Sequence, residues 1–127
     1  MGTRSNIKVY NTSNEVILSL FGMYDGQVAY GVGEDLYEFA SKFKVTNGLP
    51  LGDCDGLANG VECFALQLVC HLKKRPGNWY AEPFDSENEK HHYTIYENDG
   101  AIKVYALIDG EEQLIDDDFI NSLKGEH

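Results

Sequence analysis

Between Gly60 and Asn78 the chain reads GVECFALQLVCHLKKRPGN, and this stretch limits the choice of fold more than any other. From Val61 to Leu72 only Glu62, Gln67 and His71 are strongly polar, so the run is too long for an ordinary strand and apolar on nearly every side. Such a helix is expected to be buried all round, with Cys63 and Cys70 as small core residues. It changes at once into Lys73, Lys74 and Arg75, the densest positive run of the chain, and Pro76 with Gly77 stops it. One element is thus expected to supply both the centre of the core and the most distinctive patch of surface.

The segments on either side read as the sheet that this helix needs for cover. Ile7 to Tyr10 alternates apolar and polar, Asn11 to Asn14 is turn chemistry, and Glu15 to Met23 is apolar at consecutive positions, with Gly22 a candidate bulge. From Glu34 to Phe43, Leu36, Phe39, Ala40 and Phe43 form the stripe of an amphipathic helix. Beyond Asn78 come Trp79 to Glu82, Tyr93 to Glu97 and Ala101 to Ile108 as strands, with Asn98-Asp99-Gly100 as a hairpin turn and Asp109-Gly110 as a second turn before Gln113 to Ile115. Asp116, Asp117 and Asp118 offer a cap and favourable charge for a last short helix. The pattern predicts a single α+β domain over 1–127: a mainly antiparallel sheet of five to six strands, two helices packed on one face, and a short C-terminal helix.

A chain of 127 residues is long enough to bury a core without disulfides or metals. The formal charge of −11 argues against duplex nucleic acid as a partner, because neutralised phosphates give such binding its affinity. More than half of the 21 acidic residues lie between Glu82 and Asp118, opposed there only by Lys90 and Lys103. That uneven distribution marks either a solvated face or a docking surface for a basic partner, with Glu87, Glu89, Glu111, Glu112, Asp116, Asp117 and Asp118 as its carboxylates. No apolar run is long enough to cross a bilayer and no export signal is evident, so a cytoplasmic location and reduced Cys54, Cys63 and Cys70 are expected. A homo-oligomer is left open.

Three motifs invite chemistry. Leu51 to Glu62 places Asp53, Asp55, Asn59 and Glu62 on ligand positions of a twelve-residue calcium loop and Gly56 on its turn position, but Leu51 at the first position has no oxygen to offer. Gly31-Val32-Gly33 precedes a helix as a phosphate loop would, but Glu34 and Asp35 stand where the anion would sit, so a structural turn is the better reading. Cys63 and Cys70 are two helical turns apart, about 10 Å, too far to share a zinc ion. No metal, cofactor or catalytic residue is assigned on these grounds. The remaining constellation is Lys73, Lys74 and Arg75 followed by Trp79 and Tyr80. Its cations fit the negative end of a helix dipole, and with the aromatics and Tyr93 from a neighbouring strand they also fit a small phosphate-bearing ligand held by charge and stacking.

Met1-Gly2-Thr3-Arg4-Ser5 with its following strand, Tyr24-Asp25-Gly26 leading to Gly31-Val32-Gly33, and Lys73 through Arg75-Pro76-Gly77-Asn78-Trp79-Tyr80 together resemble a group of small phage and prophage proteins. The resemblance spans most of the chain in the same order. It departs at Gln27 and Val28, where such proteins tend to carry an aromatic residue and proline. It implies a counter-defence protein acting by binding in the cytoplasm of an infected bacterial host. One mechanism is an acidic surface docked on a basic host immune complex, as in DNA-mimicking inhibitors of CRISPR or restriction systems. The alternative is a sponge for a cyclic nucleotide signal, similar in role to the Thoeris anti-defence proteins. A hydrolase of a small metabolite is the third and least supported class.

Overall fold

The computed structural model describes residues 3–46, 56–85 and 91–125. Within these residues the chain forms an α+β fold of eight strands and three helices. β1 (Ser5–Tyr10) pairs antiparallel with β2 (Val16–Gly22) across the turn expected at Asn11 to Asn14. There the Asn11 Oδ1 accepts from the Ser13 and Glu15 amides, the way an asparagine side chain closes a turn. α1 (Val32–Ala40) follows, then the short β3 (Lys44–Thr46) and β4 (Leu57–Asn59), and then α2 (Val61–Leu72). β5 (Trp79–Ala81), β6 (His91–Asn98), β7 (Ala101–Ile108), β8 (Glu111–Leu114) and α3 (Asp117–Leu123) complete the order.

The sheet runs β4-β3-β7-β6-β1-β2-β5, with β8 also on β7. It is larger than the five to six strands expected, and mixed, because β1 lies parallel to β6 and β3 parallel to β4. Both differences arise from non-local pairing. Strands of three residues carry no readable alternation, and nothing local in β1 specifies that its second neighbour comes from residue 91 onward. The local signals do translate directly. Asp99 with Gly100 and Asp109 with Gly110 are all left-handed (φ 53° and 80°; 52° and 82°), the conformation that a two-residue hairpin requires, and they join β6 to β7 and β7 to β8. The Asp116 carboxylate accepts from the Phe119 amide at 2.8 Å, as the cap of α3.

The core lies between the helices and one face of this sheet. Ile7, Val9, Tyr93, Ile95, Val104 and Ala106 are buried on strands whose register places them side by side, and Leu36, Phe64, Ala65 and Leu68 are buried on the helices. α2 departs from expectation. Glu62, Leu66 and Cys70, spaced four residues apart, form an outward stripe on which Leu66 is 69% exposed. Cys70 is therefore a surface thiol and Cys63 a half-buried one. Apolar residue type alone does not distinguish a buried face from an outward one, since much of any folded surface is apolar.

Two buried contacts fix the sheet to its surroundings. The Tyr93 hydroxyl donates to the Gly26 carbonyl at 2.6 Å, pinning the loop that delivers α1. At the other side Gly22 is no bulge; the register irregularity falls at Val9/Tyr10, and Gly22 makes room for the Trp79 ring directly opposite on β5. A methyl group there would stand 2.7 Å from the indole. Gly22→Ala is expected to destabilise the protein by about 1–3 kcal/mol in urea unfolding, and Trp79→Leu in the same chain to recover part of that loss.

Burial raises the Tyr93 hydroxyl well above the ordinary tyrosine value of 10.0, and burial first, then the hydrogen bond to Glu112, raises Tyr96 to about 12. The unfolded chain then releases these protons before the folded one does. The stability tied to these two tyrosines is present in full below pH 10 and is expected to be lost as pH rises toward 12, with a shallower fall in Tyr96→Phe, read from urea midpoints across the alkaline range.

Candidate functional site: a basic and aromatic cleft

After Leu72 the chain leaves α2 and must turn sharply to run alongside β2. Gly77 (φ 87°) and Asn78 (φ 65°) make that turn with two consecutive left-handed residues, and the Trp79 amide donates to the Gly77 carbonyl at 2.8 Å. Asn78 also ties the turn to the end of β2. Its Oδ1 accepts from the Met23 and Tyr24 amides at 3.1 and 3.2 Å, and its carbonyl accepts from Met23 at 3.0 Å. Tyr24 is thereby held beside the basic run although it lies some fifty residues away in sequence.

The basic run itself divides. Lys73 points back into the turn, where its ammonium donates to the carbonyls of Gly77 and Trp79, both at 2.9 Å, and lies 5.4 Å from the centre of the Tyr80 ring. It closes the turn instead of capping the helix carbonyls. Lys74 and Arg75 are exposed and reach no hydrogen-bond or ion-pair partner among the described residues. Together with Tyr24, Asp25, Asn78 and Tyr80 they border a cleft of about 670 Å³. Tyr24 is 51% and Tyr80 47% exposed, so both rings offer surface for stacking, and the two free cations outnumber the single carboxylate. The arrangement can hold a small anion with a flat ring: guanidinium and ammonium for the charge, tyrosines for the ring.

Of the ligand residues expected from sequence, Lys74, Arg75 and Tyr80 face the cleft and Lys73 braces it, while two are used otherwise. Trp79 is at the cleft floor, buried against Gly22. Tyr93 does not join the others, because β1 and β2 separate β6 from β5 and its ring is 1% exposed in the core. Tyr24 is the addition that the structure makes. Its only signal in sequence is the Tyr24-Asp25-Gly26 turn, which gives no hint that β2 ends beside β5.

The acidic residues lie toward the opposite edge of the sheet, on β8 and α3. Glu111, Asp117 and Asp118 are exposed there. Asp116 is committed to its helix cap, and Glu112 accepts from Thr94 Oγ1 and the Tyr96 hydroxyl at 3.1 and 2.9 Å. Glu87 and Glu89 fall outside the described residues, as do Leu51, Asp53 and Asp55 of the calcium-like loop. Of that loop, Asn59 sits on β4 and Glu62 on the outer face of α2, and among the described residues no group of three His, Cys, Asp or Glu side chains could hold a metal ion. The phosphate reading of Gly31 to Gly33 is closed by geometry. The amides of Val32, Gly33 and Glu34 already donate to the carbonyls of Asp25, Gln27 and Val28. Glu34 in turn accepts from the Tyr30 amide at 2.9 Å and from Lys124 at 2.9 Å, which hold its carboxyl below the usual range.

No family model, no curated protein and no solved structure matches the chain. The cleft geometry separates the three cations by role. Lys73→Met is expected to lower the urea-unfolding free energy by about 1 kcal/mol, since it leaves the part-buried Trp79 carbonyl without its lysine donor, while the Gly77 carbonyl keeps the Trp79 amide. Lys74→Ala and Arg75→Ala are each expected to stay within about 0.5 kcal/mol of the parent protein.

Proposed function

We propose that this is a non-enzymatic binding protein that captures a small phosphate-bearing, ring-containing ligand of the nucleotide class in the cleft of Tyr24, Lys74, Arg75 and Tyr80. What carries the reading is the pair of cations without partners among the described residues, beside two half-exposed tyrosines, in a space of a size suited to a small molecule. Charge on one side and stacking on the other match the two parts of a nucleotide. Such a role is that of a sponge, and it accords with the counter-defence setting implied by the resemblance to small phage proteins.

Ligand binding to the folded state alone raises the melting temperature by mass action. Titration with cyclic mononucleotides and dinucleotides is expected to raise it by several degrees for at least one of them, and Lys74→Ala with Arg75→Ala together to abolish the rise. A rise that survives the double substitution would place the ligand elsewhere, and a flat response to every nucleotide would remove the proposal.

A second reading, docking of an acidic surface on a basic host immune complex, draws support from Glu111, Asp117 and Asp118, which stand toward solvent at one edge of a chain of net charge −11. Capture of such a complex should weaken steeply with salt. It should also fall when Asp117 and Asp118 are changed to Asn, whereas Asp116 is unsuitable for this test because its loss removes the α3 cap.

A further inference from the structure

The face of the sheet turned away from the helices carries a second concavity, of about 320 Å³, unconnected with the basic cleft. Its floor and walls come from alternate residues of two parallel neighbours. Asn6, Lys8 and Tyr10 on β1 stand beside His92, Thr94 and Tyr96 on β6, in the register Asn6 to His92 and Lys8 to Thr94. Side chains on this face would ordinarily meet water, yet Asn6 is 1% exposed. Beside it, β8 brings Glu112 across β7 to reach Thr94 and Tyr96 on β6.

The charges here are arranged unusually. Glu112 is fixed by two hydroxyl donors, Thr94 and Tyr96, and both bonds reach the same oxygen, Oε1. Its second oxygen keeps its capacity to accept. The Tyr96 ring is fixed in turn by stacking on Tyr10 at 4.8 Å. Lys8 lines the same space, half-buried, yet makes no ion pair with Glu112 or with any other carboxylate among the described residues. A half-buried cation and a positioned carboxylate thus face one polar concavity without neutralising each other. Lys8 is the half-buried member and Glu112 the exposed one, so it is the lysine that lacks the compensation a direct pair would give it.

We infer that this concavity is a binding site for a small zwitterion of the free α-amino acid class, its ammonium on Glu112 Oε2 and its carboxylate on Lys8. A simple anion would meet the Glu112 charge and a simple cation the Lys8 charge, so each is disfavoured by the group that the other would use. A ligand carrying both charges satisfies both. Leu107 at the rim supplies apolar surface for the remainder of the molecule.

The probes are the twenty standard amino acids at millimolar concentration, followed by amide chemical shifts of the intact protein, with the N-acetyl and carboxamide derivatives of any that bind. At least one free amino acid should perturb residues 6–10, 92–96 and 112, and blocking either its ammonium or its carboxylate should weaken binding by about tenfold or more. Glu112→Gln and Lys8→Met should each do the same, with Lys8→Arg restoring binding, while Lys74→Ala with Arg75→Ala should leave it unchanged. The inference is overturned if none of the twenty perturbs these residues, or if a blocked derivative binds as well as its parent. The derivative series uses the unaltered protein, so it decides the matter whether or not the variants fold. It is also independent of whether the basic cleft takes a nucleotide.

Discussion

The contact on which the basic cleft depends is the Trp79 indole lying on Gly22. β5 has three residues and, among the described residues, pairs only with β2, so its backbone hydrogen bonds alone would hold it weakly. Burial of the chain's single tryptophan against a position without a side chain supplies the attachment. Once β5 is fixed, Asn78 falls opposite Met23 and Tyr24 and accepts their amides, and Lys73 finds the Gly77 and Trp79 carbonyls. Each of these groups is consumed in building the turn. What remains outside it, Lys74, Arg75, Tyr24 and Tyr80, is the set that borders the cleft.

This division of labour explains why the basic run is ambiguous in sequence. Three adjacent cations after a helix suggest dipole matching, and one of them is indeed structural, though it serves the following turn and not the helix end. The other two have no structural partner among the described residues. The aromatics divide in the same way: Trp79 builds, Tyr80 faces outward, and Tyr93 belongs to a different part of the core, where its hydroxyl anchors the loop leading into α1.

How far the fold is legible in the sequence follows the range of each interaction. Asp99-Gly100, Asp109-Gly110 and the Asp116 cap act within a few residues, and each can be read directly. The parallel pairing of β1 with β6, the edge position of β5 and the approach of Tyr24 to Arg75 are set by contacts between distant segments, and no local pattern encodes them. The outward face of α2 is hidden for another reason. Leu66 and Cys70 are apolar by type but outward by position, and periodicity does not reveal the difference when nearly every residue is apolar. Among the acidic carboxylates, residue type again overstates availability, since Asp116 is committed to its helix cap and one oxygen of Glu112 to Thr94 and Tyr96.

The groups left over after the Trp79 turn is built are the proposed ligand site at this edge of the sheet. Mapping amide chemical shifts on addition of a cyclic dinucleotide tests that proposal most directly, because it reports location as well as binding. Perturbations are expected to concentrate at residues 23–25 and 72–80, spreading to the Trp79 indole at the cleft floor. Perturbations confined to residues 111–118, or none at concentrations where the nucleotide saturates other binders of its class, would contradict it.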